Sequence, residues 1–400
     1  MNAALISVTQ ARECVLSATR RLDTEPVEIA GALDRVLAQD LLATGDVPSF
    51  PCSAMDGYAV AESPSGRSMT VVGESRAGAP ARQRLGEGEA IRISTGAAMP
   101  VGATAVIRQE DVEERGTSIY TRAAVRPSEN VRHAGEDQQA GATVLRAGTV
   151  LGAAELGAAV AAGAARVEVA RKPQVTVLCT GDELRAPGEP LGPGEIHNSN
   201  APMLVALATR CGALVAPVQR LPDQRAATES ALAVALERSD AVVISGGVSV
   251  GPHDHVKPAL AALGVQELFW RVALQPGKPT WFGQRDGKLV FGLPGNPVSA
   301  VVTFSLFVRP ALAALQGATP KPMLDAQARL GVTVARNPDR EQALRVRLER
   351  RDGALLAFRN GAQDSHLVSS LLGAHALALI PAGDGELEAG SAVALEELPR

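Results

Sequence analysis

The spacing of apolar positions changes along this chain, and each change marks a structural unit. From Val8 to Leu22, behind Ser7 as an N-cap, apolar residues recur at helical spacing, and the same spacing returns from Ala30 to Leu41. After Pro48 the pattern breaks into short apolar runs separated by Gly and Pro: Thr70–Val72, Ala90–Ile93, Ala105–Ile107 and Ile119–Val125. Glu114-Arg115-Gly116-Thr117 lies between two such runs as a hairpin turn. A further helix is predicted over Ala153–Ala162, ending before Lys172-Pro173.

From Gln174 onward the pattern alternates. Buried strands are predicted at Val175–Cys179, Leu214–Val218, Ala241–Ser245 and Leu289–Phe291. Helices are predicted at Ala201–Cys211, Gln224–Glu237, Val256–Leu263 and Val298–Leu315. Such alternation implies a doubly wound parallel sheet with ligands at the carboxyl ends of its strands. After Gly317-Ala318-Thr319-Pro320 the runs Leu344–Glu349, Ala354–Phe358, Ala376–Ile380 and Ala392–Leu395 indicate a small barrel or sandwich.

The expected architecture is therefore α/β and multidomain. It has an elongated N-terminal unit (1–42 plus 138–172), an inserted β-rich unit (43–137), an α/β unit (173–320) and a C-terminal β-barrel (321–400). Four hundred residues are too many for one compact core.

Composition narrows the chemistry. With aromatics at 3%, cores must be built from Ala, Val and Leu, and base-stacking platforms are disfavoured. A net charge of −4 argues against nucleic acid or an anionic membrane as bulk partner. An anionic ligand would have to be held locally. Cys14, Cys52, Cys179 and Cys211 form no Cys-x-x-Cys pair, which suits a reducing compartment without structural zinc. The start, Met1-Asn2-Ala3-Ala4-Leu5, lacks a signal-peptide pattern, and the most apolar stretch, Pro297–Leu315, is interrupted by Thr303, Ser305, Arg309 and Pro310. Cytoplasm is the expected location.

Four groups of residues carry chemistry. Cys179-Thr180-Gly181-Asp182-Glu183-Leu184 follows a strand directly, exposing backbone N–H groups and two acids; the plain alternative is a strand-ending turn with solvated acids. Ser245-Gly246-Gly247-Val248-Ser249-Val250-Gly251, with Asp254 just beyond, combines glycines and hydroxyls as an anion cradle or, more blandly, a flexible loop. His253 and His255 beside Asp254 read as surface histidines rather than a metal site. Gln275-Pro276-Gly277-Lys278-Pro279 and Gly292-Leu293-Pro294-Gly295-Asn296-Pro297-Val298-Ser299 are rigid turns, the second opening a helix, and Lys278 offers a point charge for an oxyanion. Both could be structural only. Ser53–Val60, Thr95–Pro100 and Gly135-Glu136-Asp137 are turn-rich segments, acidic in the first and last, that read in isolation as loops.

Taken in order, Met55–Val60, Thr95–Pro100, Gly135–Asp137, Thr180–Leu184, Ser245–Asp254, Pro276–Pro279 and Gly292–Ala300 resemble the molybdopterin molybdenumtransferase family, the bacterial MoeA proteins and the matching domain of gephyrin-type proteins. The resemblance spans essentially the whole chain. It implies a transferase that takes adenylylated molybdopterin and molybdate, uses a divalent cation, usually Mg²⁺, and releases AMP with the finished cofactor. It also implies a homodimer in which the β-rich unit of one subunit approaches the α/β unit of the other, and contact with the adenylyltransferase and with recipient apoenzymes.

Carried over residue by residue, the resemblance ties Asp56, Thr95, Asp137, Glu183, Asp223, Asp254 and Lys278 to activity, with Glu183 and Asp254 as the metal ligands. Thr180, Gly181, Asp182, Ser245, Gly246, Gly247, Ser249, Pro294 and Pro297 would hold the pterin nucleotide, and Lys278, Ser299, Arg345 and Ser365 the molybdate. Gln275 and Arg271 stand where relatives often carry Lys, so charge is lost at the first and reshaped at the second. Two other readings compete. An adenylyltransferase would share the α/β fold but need neither flanking β unit; a non-catalytic carrier or scaffold would need no acids.

Overall fold

The structure, a computed structural model, describes residues 5–62, 64–221, 224–248, 255–318 and 328–398. Gln174–Thr180 is the parallel neighbour of Ala241–Ser245 on one side and of Leu214–Val215 and Gln219–Leu221 on the other. Ala241–Ser245 in turn pairs in parallel with Lys288–Leu293. Two further strands, Trp281–Arg285 and Gln266–Trp270, extend this edge antiparallel and complete seven. Neither was expected from the pattern.

The unbroken apolar runs of these strands reflect burial on both faces. Val175, Val177, Cys179 and Val243 point into one core, with the helices Asn200–Arg210 and Pro297–Leu315. Leu178, Val242 and Ile244 point into the other, with Arg225–Arg238 and Val256–Ala262. Pro297–Leu315 is long and apolar enough to cross a membrane by length and composition, yet 78% of its most apolar window is buried inside the protein. Its middle, Phe304–Val308, is a π-helical turn.

Ser7 does cap the first helix, Val8–Ala18. Its hydroxyl accepts the Gln10 N–H while the Gln10 side chain accepts the Ser7 N–H. The helix ends at Ala18 rather than Leu22, and its buried Val8, Ala11 and Val15 join the α/β core beside Phe304 and Phe307. In space it belongs to that unit, not to its neighbours in sequence.

The helix expected over Ala30–Leu41 does not form. Only a 3₁₀ turn, Ile29–Gly31, is present; Asp34 adopts a left-handed φ of 61°, and Val36 and Leu37 form β-bridges with Val150 and Val169. Ala32, Val36 and Leu37 are buried while Leu33 is 55% exposed, and extended pairing with the strand Arg166–Ala170 overrides local helical propensity there. Thr24–Glu28 pairs antiparallel with the same strand.

The inserted unit is a six-stranded sheet in the order Ala105–Arg108, Gly57–Val60, Glu89–Ile93, Ser68–Ser75, Ser118–Thr121, Val112–Arg115. Gly116, with φ of 61°, turns the expected hairpin. Its two chain connections run side by side, Val47 bridging Gln138 antiparallel with N–H···O distances of 2.8 and 3.2 Å.

At the C-terminal end, Glu341–Arg351 pairs with both Ala354–Arg359 and Ala376–Ile380. Ala354–Arg359 pairs with Ala328–Leu330, which pairs with Ala392–Glu397, which returns to Ala376–Ile380. The ring closes as a five-stranded barrel and leaves no edge unpaired between its members. Two of its attachments to the α/β unit are a strand pairing and a cluster of ion pairs. Leu274–Gln275 pairs in parallel with Glu341 and Gln342. Glu396, its side chain only 4% exposed, is gripped by Arg309 of the long helix and by Arg12 of the first helix.

Candidate active site

A cleft of about 430 Å³ opens at the carboxyl ends of the parallel strands, where an open α/β sheet places its ligands. Five segments wall it: the turn after Gln174–Thr180, the paired strands Leu184–Arg185 and Ile196–His197 leading to Asn200, the loop from Ser245 to Val248, Pro279 at the end of the Pro276–Pro279 turn, and the turn from Pro294 to Pro297.

The glycines of the third segment are required by geometry. Gly246 and Gly247 have φ of 86° and 67°. A β-carbon at Gly246 would lie 2.7 Å from Thr180 Oγ1, and one at Gly247 would lie 2.6 Å from Val256 Cγ2. Only glycine lets the chain turn over the strand end so closely. Gly246 N–H donates to the carbonyl of Leu293 at 3.0 Å, so the backbone there ties two strands rather than standing free for a ligand. In the first segment Gly181 has φ of 140°, and the Glu183 carboxylate folds over it.

A second convergence lies where the barrel meets the start of Pro297–Leu315. The carbonyl of Ser365 accepts the Val298 N–H at 3.1 Å, and its hydroxyl accepts from Asn296 Nδ2 at 2.8 Å. Arg345, fully buried, donates through Nη2 to the carbonyls of Ala362 (3.1 Å) and Asp364 (3.3 Å), and through Nε to Ser370 Oγ (3.2 Å). Its Nη1 is buried with no acceptor. Burial lowers its pKa to about 10, with Asp364 opposing the shift. Ser299 is buried in the first turn of the same helix. Lys278 is exposed on a loop packed against that helix; a β-carbon at Gly277 would meet Thr303 Cγ2 at 2.8 Å. Gln275 Oε1 accepts from Asn337 Nδ2 of the barrel at 2.6 Å, a role closed to a donor-only lysine.

Thus Thr180, Glu183, Ser245, Gly246, Gly247, Pro294 and Pro297 share one cleft, with Gly181 beneath Glu183. Asp182 is exposed and is not part of the cleft wall. Asp56 and Thr95 meet each other, Asp56 Oδ1 accepting the Thr95 N–H at 2.8 Å, but neither they nor Asp137 lines the cleft of their own chain. Asp223, Ser249 and Asp254 lie outside the described residues. Among the described residues no group of three or more His, Cys, Asp and Glu side chains could hold a metal, and Glu183 is the acid on the cleft wall. Sequence reasoning missed Asn200 and gave Asn296 no role. Asn198-Ser199-Asn200 before an apolar helix carries only the signal of a helix start.

A parallel α/β sheet with a glycine-lined cleft, flanked by an inserted β unit and a closed barrel, defines a multidomain enzyme of the molybdopterin-binding class. Family profiles match in chain order: the MoeA N-terminal region (domains I and II) over residues 6–163, a probable molybdopterin-binding domain over 176–314, and the MoeA C-terminal region (domain IV) over 327–398. The chain belongs to the molybdopterin molybdenumtransferase family. The Haemophilus influenzae molybdopterin molybdenumtransferase is 37% identical over 381 residues, covering 93% of each chain. That of Bacillus subtilis is 34% identical over 97% of this chain and 93% of its own. A solved molybdopterin biosynthesis MoeA protein from Pyrococcus horikoshii superposes with a TM-score of 0.83 at 31% identity, covering 98% of this chain and 99% of that one.

Proposed function

We propose that this chain inserts molybdate into adenylylated molybdopterin and releases AMP and the finished cofactor. The observation that carries the reading is Arg345: a buried guanidinium with an unpaired Nη1, beside Asp364–Ser365 at a helix start. A buried cation lacking an acceptor suits an oxyanion, and a helix N-terminus favours the same charge. Ser299 and Lys278 supply a hydroxyl and a second positive charge on elements of the same helix region.

In the cleft, Ser245 would hold the phosphate end of the nucleotide, the Gly246–Gly247 turn giving it room to approach, with Thr180 packed beneath that turn. Glu183 makes no hydrogen bond through its carboxylate among the described residues, and an oxygen donor of this kind suits Mg²⁺. Bound Mg²⁺ would supply charge neutralisation at the phosphate oxygens. In a homodimer, Asp56, Thr95 and Asp137 would serve the second subunit's cleft, consistent with their distance from their own. Four free cysteines suit the cytoplasm.

The test is AMP release from adenylylated molybdopterin on adding Mg²⁺ and molybdate. Molybdate-dependent release is expected from the wild type, with a loss of at least about tenfold in Arg345→Met and Glu183→Ala. Release that ignores molybdate, or ATP-dependent synthesis of the adenylylated pterin, would sink this reading.

A further inference from the structure

Asn200 stands where two walls of the cleft meet. Its Nδ2 donates to Ser245 Oγ at 2.8 Å and to the carbonyl oxygen of Gly295 at 2.7 Å. A backbone carbonyl can only accept, so this contact sets which way the amide faces. The consequence is unfavourable for its other end: Oδ1 is buried and has no hydrogen-bond partner among the described residues. Such an orphan opposes stability. Turning the amide over would set oxygen against the oxygen of Gly295. The side chain is held for its two donated bonds, and both go to loops of the cleft.

The bond to Ser245 has a directional effect. A serine hydroxyl carries one proton and accepts through its lone pairs. Because Asn200 occupies Ser245 Oγ as an acceptor, the serine proton is left for another partner, and it finds none among the described residues. Ser245 is only 3% exposed, at the end of a buried strand and on the cleft wall. The second bond holds the Gly295 turn close to the glycine loop; a β-carbon at Gly295 would sit 3.8 Å from Gly246 Cα.

We propose that Asn200 is a positioning residue that fixes Ser245 as a hydrogen-bond donor to a phosphate oxygen of the bound nucleotide and locks the spacing of the two loops. This rests on the reading of the cleft as a nucleotide-phosphate site. Asn200→Leu keeps the branched skeleton, with somewhat larger tips, and removes both donors. Asn200→Asp keeps the shape but offers an acceptor, which captures the serine proton and repels the Gly295 oxygen.

The experiment is calorimetric binding of AMP with Mg²⁺ to the full chain and its variants. Ser245→Ala and Asn200→Leu should each weaken binding by about tenfold, and Asn200→Asp by more. In the Ser245→Ala background the Asn200→Leu loss should shrink to about twofold or less, because the serine proton that Asn200 frees is then absent and only the Gly295 contact is left to lose. If Asn200→Leu does not fold, Asn200→Ser, whose hydroxyl is too short to reach both partners, takes its place in the same cycle. Wild-type affinity in the Asn200 variant, or an undiminished loss in the Ser245→Ala background, overturns the proposal. Failure of the wild type itself to bind AMP overturns the phosphate-site reading beneath it, and is seen before any variant is made.

Discussion

Arg345 is a side chain that the folded protein accommodates without fully satisfying. Its pKa falls to about 10 through burial, so the folded chain holds that proton less firmly than the unfolded one. Stability attributable to this group therefore rises with pH from about 10 up into the ordinary guanidinium range, and at neutral pH the buried charge is a constant penalty. An oxyanion beside Nη1 relieves it. Molybdate should therefore raise the melting temperature of the wild type in a concentration-dependent way and leave Arg345→Met unmoved. An equal rise in both would place the anion elsewhere. Lys278 stood out locally as a point charge in a rigid turn, whereas Arg345 and Ser365 were legible only through the resemblance, because nothing local in Leu344-Arg345-Val346 distinguishes a buried arginine from a strand's solvent-facing one. Asn200 was not legible at all: a polar residue ahead of Ala201 looks like any helix start, and its partners lie 45 and 95 residues away.

Elements were legible where burial enforces a period. The strands Gln174–Thr180 and Ala241–Ser245 and the helix Pro297–Leu315 declare themselves by dense apolar runs, the helix despite Thr303, Ser305, Arg309 and Pro310. Gln266–Trp270 and Trp281–Arg285 did not, being antiparallel additions whose residues include Glu267, Gln284 and Arg285. Ala30–Leu41 misled because buried Ala32, Val36 and Leu37 are spaced like a helix, while Val36 and Leu37 are each held by a bridge to a distant residue, Val150 and Val169.

The strand Leu274–Gln275 is the element that docks the barrel, and it makes a prediction at this scale. Its partner Glu341 has a pKa raised by burial, while its N–H donates to the carbonyl of Ala273 at 2.9 Å. A carboxyl with a folded value above its unfolded one binds more protons in the folded state. Its penalty is present above the raised value and disappears as pH falls below the ordinary carboxylate range. Glu341→Gln should thus raise the melting temperature by a few degrees at pH 7 to 8, and the gain should fade toward pH 4. A gain independent of pH would assign it to packing rather than charge.

At the scale of the whole molecule, the boundaries between units were legible from changes of period, whereas the ties across them were not. Nothing near Arg12, Arg309 or Glu396 in sequence announces that the three meet, yet together they join the first helix, the long buried helix and the barrel's last strand. The separation of Asp56, Thr95 and Asp137 from the cleft of their own chain is likewise a three-dimensional fact.

The bridge between Val47 and Gln138 makes the six-stranded unit a removable cassette. Its chain enters and leaves at adjacent hydrogen-bonded positions, so the gap left by deleting residues 48–137 can be closed by an Asn-Gly turn. Such a shortened chain should melt in one cooperative step and bind AMP as the parent does, yet release none from the adenylylated pterin. On the proposed homodimer, supplying a full-length partner disabled by Glu183→Ala should restore release in mixed dimers, since each chain then contributes what the other lacks. A shortened chain that turns over unaided would show that the acids of the cassette are dispensable. Cut at that bridge, the molecule becomes a two-component reagent whose halves are recombined by mixing, and grasping substrate can be studied apart from acting on it.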